Sequence, residues 1–244
     1  MANRRRIIML GLGNSLVTSG VSSEFNIIST SPDLWLQFNT GQTTVDADSD
    51  GDSDIQWADS SGNGNDATNA TDAKQGSFSD GAWSSADNSD HLVLDSTITL
   101  ADAYTIFIVF TVENTSDTFI GGTDTSDFMR FGQANNASTM RVRHSGATNN
   151  ITFDTNPSVG KGMFKISRND DGDEFTVTQN STTLCIDAGT VSTNDFIVGK
   201  VPAGASALAD DYLWEVVIYN RAVTADESAL IEADILTRTS LTAD

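Results

Sequence analysis

The chain has one cysteine, three prolines and two histidines in 244 residues. A lone Cys185 excludes an internal disulfide. Its place in the apolar run of residues 184–186 reads as a small buried side chain rather than a nucleophile. His91 and His144 are too few for a His-based triad or a zinc centre. Each stands at the end of a strand-like run and reads as a surface residue. Basic residues are also scarce: 13 Lys and Arg against 34 Asp and Glu, a formal net charge of −21, with none between Arg6 and Lys74. That balance argues against nucleic acid as a partner, because phosphate contacts need Lys and Arg. No run of 18 apolar residues occurs, so no transmembrane helix is expected.

With so little proline, the turns fall to 19 glycines and to Asn, Asp and Ser. Between them lie about a dozen short apolar or alternating runs. Residues 24–28 and 34–38 read as strands joined by a turn at Ser31-Pro32-Asp33, and residues 68–90 as one long loop anchored by Phe78 and Trp83. YTIFIVFTV at residues 104–112 is apolar on both faces. Tyr104, Ile106, Ile108, Phe110 and Val112 share one face, Phe107 and Val109 the other, which marks a central strand covered on both sides. YLWEVVIY at residues 212–219 is a second strong strand. Thr224 then opens a helix with Glu227 as its capping-box partner, and Leu230, Ile231 and Ile235 face the core. The pattern predicts an all-β, two-sheet antiparallel sandwich of jelly-roll type with one short C-terminal helix. Residues 1–23 form an arm, 24–238 the sandwich and 239–244 a tail.

The stretch DADSDGDSD, residues 46–54, repeats Asp at every second position around Gly51. Calcium takes six to eight oxygens, and Asp46, Asp48 and Asp50, followed by Asp52 and Asp54, match the first half of a calcium loop. The bidentate acid that should close such a loop is missing, since Trp57 stands there; Asp59 substitutes if the chain folds back. The competing reading is a solvated acidic turn. Arg141 and Arg143 share one strand face with Arg130 near, a basic patch that suits an acidic loop or a neighbouring subunit.

The segment Trp57-Ala-Asp-Ser-Ser-Gly-Asn-Gly-Asn-Asp-Ala67 and the block Trp214-Glu-Val-Val-Ile-Tyr-Asn-Arg-Ala-Val-Thr-Ala-Asp-Glu227 resemble the two ends of concanavalin A-like, laminin-G-like jelly rolls. The resemblance implies the sandwich fold and a spread of functions: glycan binding, adhesion, virion structure and, in some branches, glycoside hydrolysis. Hydrolases of this fold carry E-x-D-x-x-E on one strand. No such motif is present, and Glu215 and Glu113 stand without a spaced acidic partner.

A looser resemblance of layout to tailed-phage structural proteins implies a non-enzymatic virion component, a capsid decoration or tail and fibre protein. Its arm (Arg4, Arg5, Arg6, Ile7, Ile8 and Leu10) would dock on other virion proteins in an oligomeric assembly. Basic residues followed by an apolar stretch also suit a secretory signal, so the alternative is a secreted bacterial carbohydrate-binding or adhesion module. A glycoside hydrolase is the third reading. Sandwich lectins stack sugars on exposed aromatics beside polar loops, which nominates Phe78, Trp83, Asn135, Asn136 and His144 for host glycans, with Trp35, Trp57 and Trp214 assigned to the core.

Overall fold

The computed structural model describes residues 25–85, 89–112, 118–131, 138–169, 174–187, 195–201 and 212–242. Two antiparallel sheets face each other. The eight-stranded sheet is built from β1 (Leu34–Leu36), β5 (Ser77–Ser79), β6 (Ala82–Ser84), β8 (Tyr104–Val112), β13 (Gly160–Arg168), β14 (Phe175–Gln179), β15 (Thr182–Asp187) and β17 (Tyr212–Tyr219). The nine-stranded sheet holds β2 (Gln42–Val45), β3 (Asp54–Trp57), β4 (Ala67–Asn69), β7 (Leu92–Leu100), β9 (Thr118–Gly121), β10 (Phe128–Phe131), β11 (Thr139–His144), β12 (Ala147–Thr152) and β16 (Phe196–Val201). Their orders are β15-β14-β13-β8-β17-β6-β5, with β1 also on β17, and β12-β11-β10-β9-β16-β7-β4-β3-β2.

The two-faced pattern of β8 explains the layering. Ile106, Ile108 and Phe110 enter the core between the sheets, while Phe107 and Val109 enter a second core beneath α1 (Ala225–Arg238). In the main core Phe110, Phe119, Phe131 and Phe164 pack ring on ring, with centroids 4.9–5.6 Å apart. That is the spacing at which offset and tilted aromatic pairs attract. The helix opens with the expected capping box, Thr224 and Glu227 bonding each other's backbone. It buries Ile231, Ile235 and Leu236. Leu230 is 50% exposed instead, one residue round the helix from the buried stripe.

Other expectations also change. Residues 27–30 form a single 3-10 turn, not a strand, because the Asn26 side chain caps Ile28 N–H and Thr30 Oγ1 bonds back to Ile27 O. The loop expected over residues 68–90 contains the hairpin β5–β6. Trp214 is half-exposed, with Lys161 Nζ 4.5 Å above its ring, rather than in the core. The arm residues Arg4, Arg5, Arg6, Ile7, Ile8 and Leu10 lie outside the described residues.

Candidate functional site

The SGNGN segment is a brace. Asp59 accepts from Trp35 N, Ser61 N, Ser61 Oγ and Asn65 N at 2.7–3.1 Å. Asn63 and Asn65 donate to the carbonyls of Pro32 and Asp33 at 2.9–3.2 Å, pinning the turn before β1. Asp59 is thereby saturated and does not close the acidic loop.

That loop connects β2 to β3, whose register sets Val45 opposite Asp54. Side-chain-to-backbone turns shape it: Asp48 accepts from Asp50 N and Asp50 from Asp52 N, with Ser49 and Gly51 at positive φ. Carboxylate oxygens of Asp46, Asp48 and Asp50 all lie within 4.8 Å of one another. Two oxygens bound to one calcium at about 2.4 Å are separated by at most about 4.8 Å, so these three fit a shared ion. Asp54 does not join them. It is buried, and its oxygens accept from Ala47 N at 2.8 Å and Gln75 Nε2 at 2.7 Å. The acid that approaches instead is Asp72, which accepts from Gln75 Nε2 at 3.0 Å. Partial desolvation and neighbouring carboxylates hold Asp48 and Asp72 above the usual carboxyl range, with Asp50 the leading neighbour for Asp48 and Asp52 for Asp72.

The expected glycan constellation is not assembled. Trp83 has no exposure, lines the main core and donates its indole N–H to Gln75 O at 2.8 Å. Phe78 is half-buried, set edge-on to Trp57 at 5.9 Å. His144 is fully buried, with Nε2 3.1 Å from Tyr104 Oη and Phe196 at 5.3 Å, because the inward positions of β11 alternate with its arginines. Asn135 and Asn136 lie outside the described residues.

A different place does have the makings of a site. Where β1 meets α1, a cavity of about 450 Å³ is walled by Phe25, Ile28 and Trp35 and rimmed by the polar groups of Asn26, Gln37, Ser60, Asp234 and Arg238. Behind Arg238 lies Glu215, fully buried on β17. Its Oε1 accepts from Trp35 Nε1 at 2.8 Å and from Arg238 Nη2. Arg238 also binds Asp234 one turn earlier and lies over the Trp35 ring, its Cζ 5.3 Å from the centroid. Glu215 Oε2 and Arg238 Nε are buried with no hydrogen-bond partner. Burial raises the Glu215 carboxyl above its ordinary range, although Arg238 opposes the shift. Unmatched buried polar atoms and a perturbed acid beside a cavity mark a candidate site. Glu215 thus has an acidic neighbour, contrary to the expectation from its strand alone. The i, i+4 pair Asp234–Arg238 was visible on the helix, but nothing along the chain aimed it at β17.

No protein-family model matches the chain, and no curated protein sequence matches it. Solved structures do. A botulinum neurotoxin serotype D ligand-binding domain in complex with N-acetylneuraminic acid is similar at TM-score 0.57 and 10% identity, over 86% of this chain and 53% of that one. The binding domain of botulinum neurotoxin DC in complex with rat synaptotagmin II is similar at TM-score 0.54 and 9% identity, over 85% and 52%. Trypanosoma rangeli sialidase is similar at TM-score 0.51 and 11% identity, over 87% and 34%. The chain therefore spans about half of each toxin domain and a third of the sialidase. At these identities the likeness is one of fold, the two-sheet sandwich. None of these three is a laminin-G-like domain or a virion protein by its description.

Proposed function

We propose that the chain is a non-enzymatic carbohydrate-binding β-sandwich module, with the β1–α1 cavity as its saccharide pocket. The observation that carries this reading is the cavity itself. It has a volume that suits a small ligand, apolar walls, and amide, hydroxyl, carboxylate and guanidinium groups converging on it. Sugars present that mixture, with alternating hydroxyls over an apolar ring face. Fold likeness to a domain bound to N-acetylneuraminic acid supports the class. Hydrolysis fits less well. Glu215 has no exposure, so no substrate reaches it, and Asp234 is tied to Arg238.

The test is a glycan array probed with the full chain, followed by calorimetry on the hits. Gln37→Ala removes a rim amide that braces nothing else and should weaken binding about tenfold, the loss of one good hydrogen bond, with no reducing sugar released over time. An array with no retained glycan, or full affinity in Gln37→Ala, would refute the pocket.

The module's setting follows from the arm. Basic Arg4, Arg5 and Arg6 before apolar Ile7, Ile8 and Leu10 suit an acidic, partly apolar groove, so we read the sandwich as displayed on a larger assembly such as a virion. A secreted module is the competing setting. Deleting residues 2–23 should abolish co-sedimentation with particles from the native source while leaving the melting temperature unchanged. Full incorporation of the truncated chain would remove the arm from the reading.

A further inference from the structure

The nine-stranded sheet carries an arginine cluster that the cavity does not explain. Along β10 and β11 the inward residues are Met129, Phe131, Met140 and Val142, all buried. The alternate residues therefore point outward, away from the main core. Cross-strand register places Arg130 opposite Arg141 and Phe128 opposite Arg143. On the next strand Asn150 stands opposite Arg141 and Thr148 opposite Arg143. Like charges directly opposite on neighbouring strands are destabilising.

In a chain with 34 acids against 13 bases, such a pair should have been neutralised from within. Among the described residues it is not. Ion pairs among the described residues join Lys165 to Glu232, Arg221 to Glu227 and Arg238 to Glu215 and Asp234. None involves the three arginines here. Arg143 is spent on structure, donating to Gly146 O at 3.2 Å and Thr125 O at 2.9 Å. Among the described residues Arg141 commits only Nε, to Asn150 Oδ1 at 3.0 Å, which leaves both terminal amino groups. The Arg130 side chain makes no hydrogen bond among the described residues. Its Nε is buried without a partner, and its Cζ lies 5.1 Å from the Phe128 ring centroid. Burial pushes the Arg130 guanidinium below its usual range, and Arg141 adds to that.

We propose that Arg130 and Arg141 form an oxyanion site for the carboxylate of an acidic sugar. Two planar forks on adjacent hydrogen-bonded strands, one held by Asn150 and the other by Phe128, can each give parallel N–H donors to the same anion, the geometry in which guanidinium outperforms ammonium. An anion there also removes the repulsion between the two cations. Exposed Thr148 and Asn150 extend the polar surface beside it, in position to meet sugar hydroxyls. The sugar part rests on the carbohydrate reading above. The oxyanion part stands without it, on a surface separate from the β1–α1 cavity.

The experiment titrates the full chain with the α-methyl glycoside of N-acetylneuraminic acid, with its neutral methyl ester and with inorganic sulfate. Arginine Nε–H resonances give the readout by NMR, and calorimetry gives the affinity. The expected result is movement of the Arg130 and Arg141 signals by the sugar acid, with the ester at least about tenfold weaker, since a hydrogen bond to a charged group contributes about 1.5–3 kcal/mol, and with sulfate weaker because it has no ring hydroxyls to meet Thr148 and Asn150. Arg130→Gln should lose about tenfold in affinity while still melting as the parent does, and Arg130→Lys should restore only part, because it keeps charge without the fork. Gln37→Ala should leave these shifts unchanged, even if the cavity reading fails. Equal binding of the ester, or unchanged affinity in both Arg130→Gln and Arg141→Gln, overturns the site. Sulfate binding as tightly as the sugar acid overturns the sugar as its ligand.

Discussion

Glu215 holds one carboxylate oxygen against Arg238 and Trp35 and buries the other without a partner. Removing one member of a buried ion pair strands the other, so Glu215→Ala should lower unfolding free energy by about 3–5 kcal/mol in urea titrations. Glu215→Gln keeps an acceptor for Trp35 Nε1 and should cost less. Its cost should also depend on pH. Burial raises the native carboxyl, so the folded chain holds this proton to higher pH than the unfolded chain does. The residue therefore favours folding most below the unfolded value near 4.3, and less as pH rises through the folded one. The difference between parent and Glu215→Gln should shift in the parent's favour on acidification; a pH-independent difference would argue against this origin. At this scale the sequence was a partial guide. Burial of Trp35 and Trp57 followed from their strand-like contexts, and that of Cys185 from its apolar run. His144 and Trp83 misled because polar tips and loop-like neighbours suggest exposure, whereas alternation along β11 turns His144 inward and Trp83 is buried in the main core from the short strand β6.

Among the elements, the β2–β3 hairpin is the one whose chemistry the sequence announced most openly. Three of its five expected ligands converge, Asp54 is diverted to Ala47 and Gln75, and Asp72 arrives from residues that looked like plain loop. Calcium at Asp46, Asp48 and Asp50 is our proposal for this loop, with Asp52 and Asp72 adding charge nearby. An ion of roughly 10⁻⁴–10⁻³ M affinity, the range of extracellular modules, should stabilise the fold by about 1–2 kcal/mol at 5 mM. That corresponds to a rise of about 3–6 °C in melting temperature, reversed by chelator. Asp48→Asn with Asp50→Asn should abolish the rise; a rise that persists in the double variant, or none in the parent, sends the loop back to a solvated turn. The strands at residues 104–112 and 212–219 and the capped helix were legible because period and caps are local signals. The β5–β6 hairpin was not, since three-residue strands offer too little alternation to read.

For the whole molecule, local patterns were enough to give two sheets and one helix. The cavity was beyond them, because it joins Trp35 to Glu215 across 180 residues and to the end of α1. The same long reach governs how the chain comes together. Strand β17 pairs with β8, β6 and β1, so the middle of the eight-stranded sheet is supplied by the strand that comes after all the other described ones in the chain. During synthesis the nine-stranded sheet has all its strands by Val201, while β8, the most apolar strand, still has a bare edge where β17 will lie. A nascent chain at that stage is open to wrong pairing, as exposed strand edges are. Completion of the sandwich therefore waits for the residues that also deliver Glu215 and α1, and any chain cut short of them lacks its central strand and the cavity together.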